Sequence, residues 1–370
     1  MYFFAIIFIV LCVIFLKAYG KKDPITKDKV SHRRSFSKEL CEPDEPFIMR
    51  TELENKASRS MKRVCLRHTL DEDFALVGKQ NYTVAKNANK NVFICKTHVK
   101  AKATRVFETP VSISRRGAYQ THDLAMDYVD FLGFHASYYN KTSIERVVIL
   151  PRRVNNKFMS KMIAQGYGDF NAKRGFIDDE TTVRNYGEYT GHEPMRHINW
   201  KKSAQAGEFI VKQFEPMGTY VTTIVLDISG FTHAKKGSQA YELVEYSISM
   251  LREMFEYFEE KRIPYRLYTN AHSKWLHEHA FSSTSSGKKT RHKMLYMLGE
   301  LNTSPEQSRT LKSKQLLDLA IKNSFRAPFA YVAPIKREVV NLELKKATKI
   351  KGVEIFEFYA DEYWKQQEKE

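Results

Sequence analysis

The sequence predicts an α+β multidomain protein with an N-terminal transmembrane helix, a β-sandwich domain and an α/β Rossmann-like domain. The residues after Met1 are apolar and uncharged as far as Leu16. Residues from about 40 to 150 contain short alternating or apolar segments separated by turn residues, which is typical of a β-sandwich. From about residue 220 onward, strand and helix patterns alternate, and this order favours a parallel sheet covered by helices.

The first element is the predicted membrane anchor. The segment Tyr2–Leu16 reads YFFAIIFIVLCVIFL, and extending it through Tyr19 brings it close to the roughly 17–20 residues that a membrane span needs. A cleaved signal peptide would carry basic residues before its apolar core, whereas here they come afterwards. The pattern therefore favours a retained single-pass anchor in the cell membrane.

Basic residues follow this segment and predict its orientation. By the positive-inside rule, the soluble domains are expected in the cytoplasm. The same residues predict contact with anionic lipid, although a topology signal alone would have the same composition. The residues proposed for this membrane surface are Lys21, Lys22, Arg33 and Arg34.

Charge and cysteine content narrow the possible partners. The net charge of +17 favours an anionic neighbour, whether lipid, nucleic acid or an acidic protein, but a Lys-rich surface without such a partner has the same composition. No nucleic-acid partner is predicted, because the basic residues are dispersed and no known binding module is present. The four cysteines show no CxxC spacing, so reduced thiols are expected.

Composition and periodicity divide the chain into five segments. We predict an anchor over 1–20, a basic linker over 21–39, a β-sandwich over 40–154, a connector over 155–219 and the α/β domain over 220–362. The predicted strands and helices include Arg63–Arg67, Asn91–Val99, Thr104–Ile113, Glu145–Leu150, Val221–Leu226, Gln239–Glu260, Tyr265–Thr269, Lys293–Leu301, Leu311–Asn323, Phe329–Val332, Lys336–Lys351 and Val353–Tyr359.

Asp227 and Ser229 follow the first strand of the predicted α/β domain. Hard oxygen ligands at this place suit Mg²⁺, with Thr310 as a further candidate ligand. The alternative is that Asp227 and Ser229 only cap the turn and helix that follow. The sequence therefore indicates an incomplete, degenerate magnesium site at these residues. It predicts no other cofactor.

The connector contains a second constellation, formed by Arg196, Trp200, Lys201 and Ser203. Trp and Arg dominate protein-binding hot spots, so these residues are candidates for an interaction patch. Alternatively, Trp200 anchors the connector to the sheet, with Arg196 stacked on it.

The sequence lacks the common catalytic motifs, namely a Gly-rich phosphate loop, HExxH and Gly-x-Ser-x-Gly. We therefore expect no enzymatic activity. An alternative hypothesis is an irregular hydrolase that uses Asp227, Glu193 and His192 for acid–base chemistry. A second alternative is an adhesin-like module that acts outside the cell.

Three motifs resemble the bacterial family called domain of unknown function fifty-eight. The first is Arg115-Arg116-Gly117-x-Tyr119, followed by the run Asp130–Phe134, and the second is the stretch Val148–Arg152. The third runs from Tyr189 to Ala204 and is similar to the family pattern Arg-x-Ile-x-Trp-Lys-x-Ser-Ala. The chain departs from the family at His192-Glu193, at Gln205 and at Phe231, where the Asp-x-Ser-x-Ser pattern of a metal-ion-dependent adhesion site is interrupted.

The resemblance implies that the α/β domain is von Willebrand factor A-like and that Asp227, Ser229 and Thr310 occupy the adhesion-type metal site. It also implies a MoxR-type AAA ATPase as partner. The sequence-based hypothesis is therefore a membrane-anchored, cytoplasm-facing interaction or assembly adaptor.

Overall fold

A computed structural model describes residues 2–20, 25, 27–78, 82–87, 90–121, 123–129, 136–142, 144–154, 163, 178–191, 193–216, 221–231, 234–273, 280–283, 288–302, 311–323, 329–351 and 355–367. The α-helices are α1 (Tyr2–Gly20), α2 (Trp200–Ala206), α3 (Gln239–Lys261), α4 (Lys288–Glu300), α5 (Ser313–Asn323), α6 (Glu338–Lys351) and α7 (Ala360–Gln367). Short 3-10 helices cover Lys27–Lys29 and Met195–His197.

The strands fall in two parts of the chain. Those before residue 150 are β1 (Val30–Phe36), β2 (Leu40–Cys41), β3 (Phe47–Asn55), β4 (Met61–Asp71), β5 (Phe74–Leu76), β6 (Tyr82–Asn87), β7 (Lys90–Val99), β8 (Ala103–Ile113), β9 (Gly117–Gln120), β10 (Asp123–Val129), β11 (Ala136–Thr142) and β12 (Arg146–Ile149). The later ones are β13 (Asp178–Glu188), β14 (Ile210–Pro216), β15 (Thr222–Leu226), β16 (Tyr265–Thr269), β17 (His272–Ser273), β18 (Ala280–Ser283), β19 (Leu301–Asn302), β20 (Phe329–Ala333) and β21 (Ile355–Tyr359).

The chain forms two compact units. Unit one comprises Met1–Arg152 together with Leu295–Asn302, and unit two comprises Arg153–Met294 together with Thr303–Glu370. Within unit one, a four-stranded antiparallel sheet has the order β1-β3-β8-β5, and a five-stranded antiparallel sheet has the order β11-β10-β4-β7-β6. A smaller sheet has the order β2-β12-β9.

The core of unit one lies between the two large sheets. Alternate residues of β3 (Phe47, Met49 and Leu53) are buried, as the two-residue period of a strand requires when one face is covered. They share their core with residues of the other sheet, such as Leu66, Phe93 and Met126. The two sheets therefore pack as a β-sandwich.

Strand β1 lies inside the segment predicted as a basic linker. Arg33 is exposed on the outer side of this strand, while Arg34 faces inward and is fully buried. Burial lowers the pKa of Arg34 to about 10, with Glu145 and Asp123 acting in the opposite direction. Arg34 is thus an interior residue of the sandwich, and its assignment to a membrane surface is corrected; Lys21 and Lys22 lie outside the described residues.

Unit two contains a five-stranded sheet with the order β18-β16-β15-β20-β21. The strands β15, β16, β20 and β21 are parallel, and β18 joins β16 in antiparallel orientation. All five residues of β15 and of β20 are buried, because these central strands are covered on both faces. The connector contributes a separate hairpin, in which β13 pairs with β14.

The described chain is mainly β-sheet, and this corrects the predicted fold class. That prediction placed a Rossmann-like, von Willebrand factor A-like α/β domain behind a transmembrane helix and a β-sandwich. The strands are instead spread over several sheets, with the β13–β14 hairpin in the connector and an antiparallel strand at the edge of the last sheet. Alternating strand and helix patterns do not determine how strands pair, because pairing depends on contacts between distant segments.

The transmembrane anchor at residues 1–20 is also wrong, and with it the single-pass membrane localisation. Among the described residues, no helix is long and apolar enough to cross a membrane. The cytoplasmic orientation depended on that anchor and loses its basis.

Candidate functional site

Asp227 lies directly after strand β15 and is completely buried. Its Oδ1 accepts hydrogen bonds from the Ser229 backbone amide (2.9 Å) and from Nδ2 of Asn270 (2.8 Å). Its Oδ2 accepts hydrogen bonds from the Tyr331 hydroxyl (2.7 Å) and from Nη2 of Arg337 (2.8 Å). Four donors therefore surround one carboxylate, which is about the number that its oxygens can accept.

Asn270 organises the loop around this carboxylate. It follows strand β16, and its Oδ1 accepts a hydrogen bond from the Ile228 backbone amide (2.8 Å). Its Nδ2 also lies 2.6 Å from Oγ of Ser229. Arg337 is fixed in turn by Oγ of Ser313, 2.9 Å from its Nη2. Residues after three different parallel strands thus meet at one edge of the sheet.

The electrostatics agree with a charged Asp227. Burial alone would raise the pKa of its carboxyl, but hydrogen bonds from Ser229 and Tyr331 outweigh burial, and the pKa is lowered. The pKa of the Tyr331 hydroxyl is raised, first by burial and then by the neighbouring Asp227 carboxylate. Asp227 is therefore the anion of a buried ion pair with Arg337.

The residues suggested for magnesium do not form an open cation site. Arg337 occupies the position next to Asp227 that a cation would take, and Ser229 is engaged with Asn270. A magnesium ion would have to displace the guanidinium before it could reach the carboxylate. Thr310 lies outside the described residues, and within the described ranges no group of three or more His, Cys, Asp or Glu residues is placed to hold a metal.

Four partners of Asp227 or of its loop were not predicted from the sequence, namely Asn270, Ser313, Tyr331 and Arg337. A usable signal exists for Asn270, because it directly follows strand β16 and the carboxyl ends of parallel strands meet at the same edge of a sheet. No comparable signal marks Arg337, which lies in the loop before helix α6.

The connector forms the second candidate site. We define the connector surface as Tyr189, Met195, Trp200 and Phe209. Trp200 is 58% exposed and Phe209 is 55% exposed, and their rings meet edge to face with centroids 6.0 Å apart. The rings of Tyr189 and Phe209 also meet edge to face, with centroids 6.2 Å apart, and Met195 is exposed. A concave region of about 390 Å³ lies between helix α2 and the start of strand β14, and both Trp200 and Phe209 line it.

Local hydrogen bonds hold the two aromatic rings in place. Asn199 caps helix α2, its Oδ1 accepting a hydrogen bond from the Lys202 amide at 3.2 Å. Ser203 is buried; its hydroxyl donates to the Asn199 carbonyl (3.0 Å) and accepts from the Ile210 amide (2.8 Å). Gly207 ends the helix with a φ of 75°, a left-handed conformation that favours glycine.

The four predicted interaction residues therefore differ in position. Trp200 and Lys201 are exposed on helix α2, and Arg196 is exposed just before it, with its Nε 3.3 Å from Nε2 of His197. Ser203 is buried and joins α2 to β14 through its hydroxyl, and it also lines the floor side of the concave region rather than the exposed surface of the helix. Phe209, which no sequence pattern marked, lines the same concave region.

Two residues of the hydrolase hypothesis, Glu193 and Asp227, make other contacts in the part of the chain that the structure describes. Both carboxylate oxygens of Glu193 accept hydrogen bonds from Thr190, one from its amide (3.0 Å) and one from its hydroxyl (2.9 Å). Asp227 is engaged as described above, and His192 lies outside the described residues. The geometry gives Glu193 the role of closing a local turn.

No known protein family matches the chain, and no curated protein matches it. Solved structures that are similar to part of it include a cohesin from Archaeoglobus fulgidus, with 9% identity, a TM-score of 0.23 and coverage of 32% of this chain and 91% of that one. A cohesin from Clostridium thermocellum, solved in a cohesin–dockerin complex, has 12% identity, a TM-score of 0.23 and coverage of 35% and 97%. The PapD-like domain of human CEP192 has 14% identity, a TM-score of 0.22 and coverage of 34% and 92%. Likenesses of this strength carry no functional argument.

Proposed function

We propose that this chain is a non-catalytic protein-binding module that docks an acidic segment of a partner protein on the connector surface. The observation that carries the proposal is the exposed pair Trp200 and Phe209 beside a concave region. Adjacent exposed apolar side chains mark interaction sites more often than scattered ones do, and Trp is among the residues enriched at hot spots.

The partner is inferred to be acidic from the charges near the aromatic pair. Lys201 and Lys202 are both exposed on helix α2, and Arg196 is exposed beside it. The Lys202 ammonium lies over the ring of Tyr186, 3.4 Å from its centroid, so this cation–π contact holds one positive charge on helix α2. Glu208 also lines the concave region but is outnumbered by these cations. An apolar anchor flanked by acidic residues would complement this surface.

The resemblance of the Tyr189–Ala204 motif to domain of unknown function fifty-eight adds a specific first partner. We propose a MoxR-type AAA ATPase, and the chain would then act as an adaptor for that ATPase. This part rests on the resemblance alone, and it is separable from the docking proposal.

The direct test measures binding of purified MoxR-type ATPase from the same genome, with ATP, with ADP and without nucleotide. A parallel library of acidic peptides, each with a single aromatic or leucine anchor, tests the surface independently of the ATPase. Trp200→Ala and Phe209→Ala are each expected to weaken binding at least about tenfold, as truncation of a central aromatic residue does. Raising the salt concentration is expected to weaken binding further, because exposed charges are screened.

Leu342→Ala is the matched control, since Leu342 is 60% exposed on helix α6 and away from the connector. It is expected to bind as the unaltered protein does. If the peptides bind and the ATPase does not, the partner assignment is wrong while the surface assignment holds. If Trp200→Ala and Phe209→Ala bind as tightly as Leu342→Ala, the connector surface is not the docking site.

A further inference from the structure

Strand β6 lies at one edge of the five-stranded sheet of unit one, where it pairs with β7. Along this strand Tyr82 is half-buried, whereas the residues from Thr83 to Asn87 are exposed. The Tyr82 hydroxyl lies 3.0 Å from Oγ1 of Thr109, in strand β8 of the opposite sheet. Tyr82 therefore attaches this edge strand to the interior of the sandwich.

The Tyr82 ring also packs against His68, with ring centroids 5.9 Å apart. His68 belongs to the central strand β4 and is fully buried, and within the described residues neither of its ring nitrogens has a hydrogen-bond partner. Its neighbours on the adjacent strands are the apolar residues Leu124 and Phe93. An imidazolium needs an acceptor for each of its two N–H groups, so this interior accommodates only the neutral imidazole.

The charged groups that face His68 also oppose its protonation. Strand β1 brings the fully buried cation Arg34 and His32, whose Nε2 lies 3.1 Å from the Leu124 carbonyl oxygen. Burial, and then the charges of Arg34 and His32, lower the pKa of His68 to about 3. The other titratable groups around this interior are Tyr82, Cys95, Asp123 and Glu145. Burial raises the pKa of the Tyr82 hydroxyl and of the Cys95 thiol, so both stay neutral in acid, while the two carboxylates act on Arg34.

We infer that protonation of His68 releases strand β6, because Tyr82 moves out from between the sheets and water then reaches the imidazolium. Strand β6 is the element that opens, since it has one sheet neighbour and one half-buried side chain, whereas β4 pairs on both sides with β10 and β7. The open form binds a proton below about pH 6.5 that the closed form does not bind, so its population rises as the pH falls. Departure of β6 leaves the edge of β7 open for pairing with another strand.

Hydrogen exchange of the full chain, followed by mass spectrometry, tests this release. The exchange rate of each segment is divided by its intrinsic rate at the same pH to give a protection factor. Residues 82–87 are expected to be less protected than strand β4 at every pH. Their protection is expected to fall by about twentyfold between pH 7 and pH 5, the change produced by one proton that only the open form binds.

Three variants identify the groups involved. His68→Phe is expected to make the protection of residues 82–87 independent of pH, whereas His98→Gln, on the exposed face of β7, should retain the wild-type fall. Tyr82→Phe removes the contact with the Thr109 hydroxyl, and it is expected to lower the protection of residues 82–87 about fivefold at pH 7 while retaining the fall in acid.

The inference is overturned if the protection of residues 82–87 in the unaltered chain does not depend on pH. It is also overturned if this protection equals that of strand β4 at each pH, because unit one would then open only as a whole. Retention of the wild-type fall by His68→Phe, or unchanged protection in Tyr82→Phe, would equally exclude the His68–Tyr82 contact as the cause.

Discussion

Asp227 and Arg337 form an ion pair that has no direct contact with solvent on the carboxylate side. The Asp227 side chain is fully buried, and Tyr331 and Asn270 complete its set of donors. Removing one partner of such a pair leaves a buried charge without compensation. Asp227 therefore stabilises unit two through its four hydrogen bonds, independently of any function of the loop.

Asp227→Ala is expected to lower the free energy of unfolding by about 3–5 kcal/mol, because Arg337 and the Tyr331 hydroxyl lose their shared acceptor. Ser229→Ala is the control, expected to cost about 1 kcal/mol, since its backbone amide still donates to Asp227. Urea denaturation followed by tryptophan fluorescence measures both. Equal effects of the two variants would contradict the buried ion pair.

The lowered pKa of Asp227 also gives a pH dependence. Because the folded pKa lies below the ordinary carboxyl value of about 4, the stabilisation is fully present above that value. It is lost as the pH falls through the folded pKa. Asp227→Ala is therefore expected to flatten the acid limb of the stability curve, and a limb that is unchanged in this variant would refute the assignment.

His68 is the second residue whose protonation is expected to change the stability of the fold. It is fully buried in strand β4, and within the described residues neither ring nitrogen has a hydrogen-bond partner. Its pKa is lowered to about 3, first by burial and then by the charges of Arg34 and His32. Since the unfolded chain binds a proton near pH 6.5 and the folded chain does not, stability should decrease as the pH falls from about 6.5 toward 3.

His68→Phe is expected to remove this dependence and to leave stability at pH 7 unchanged or slightly higher, because an apolar ring needs no hydrogen bond. Hydrogen exchange of strand β4 amides between pH 5 and pH 7 measures the effect within unit one. The exposed His98 supplies the control variant His98→Gln, which should retain the wild-type dependence. Retention of that dependence by His68→Phe would show that another group titrates.

At the scale of single elements, helix α2 depends on its two ends. Asn199→Ala removes the cap on the Lys202 amide and is expected to cost about 1 kcal/mol. Gly207→Ala forces a residue with a Cβ into a φ of 75° and is expected to cost a similar amount, since no atom lies near the added carbon. Hydrogen exchange of residues 199–211 measures both effects. Exchange at wild-type rates in both variants would mean that the caps do not hold Trp200 beside Phe209.

The sequence patterns located many elements correctly. The expected helix Gln239–Glu260 is observed as Gln239–Lys261, and the expected strand Thr104–Ile113 is observed as Ala103–Ile113. These elements have a strong periodicity or clear end signals, such as the Ser238 cap. Strand β1 escaped prediction because its inward residues are His32 and Arg34, which read as a polar segment. Their burial depends on contacts with the opposite sheet. A local sequence pattern carries no information about such distant contacts.

The partners of Asp227 could not be predicted for the same reason. Arg337 lies 110 positions from Asp227 in the chain, and only the pairing of β15 with β20 brings them together. The exposure of Trp200 could not be predicted from the sequence either, because a Trp that anchors the connector and a Trp that binds a partner have the same local pattern. Trp200 is exposed and Ser203 is buried on the same short helix, although both line the concave region.

At the scale of the whole molecule, unit one includes a segment that is distant in the sequence. Arg116 donates hydrogen bonds to the carbonyl oxygens of Leu298 (3.1 Å), Gly299 (3.3 Å) and Leu301. A Cβ added to Gly299 would overlap Cγ1 of Val148 and lie 3.0 Å from the Ile149 carbonyl oxygen. The segment Leu295–Asn302 therefore packs closely on strand β12.

Gly299→Ala is expected to destabilise unit one by about 1–3 kcal/mol through overpacking. Val148→Ala in the same chain should recover part of that loss, because it removes the methyl group that overlaps the new carbon. Gly78→Ala, in open space at a φ of 75°, gives the purely conformational reference of about 1 kcal/mol. Hydrogen exchange of strand β12 reports the three variants, and a Gly299→Ala effect that Val148→Ala does not reduce would contradict the proposed contact.

The closeness of Gly299 to strand β12 also bears on how the chain is made. During synthesis, all strands from β1 to β12 emerge from the ribosome before the segment Leu295–Asn302. The carbonyl acceptors of Arg116 in that segment are therefore translated only after helix α3 is complete. Unit one reaches its final form only after residue 302 has left the ribosome. A recombinant fragment that stops at Arg152 would reproduce this unfinished nascent state, and fusing Leu295–Asn302 to it through a flexible linker is the way to obtain unit one alone.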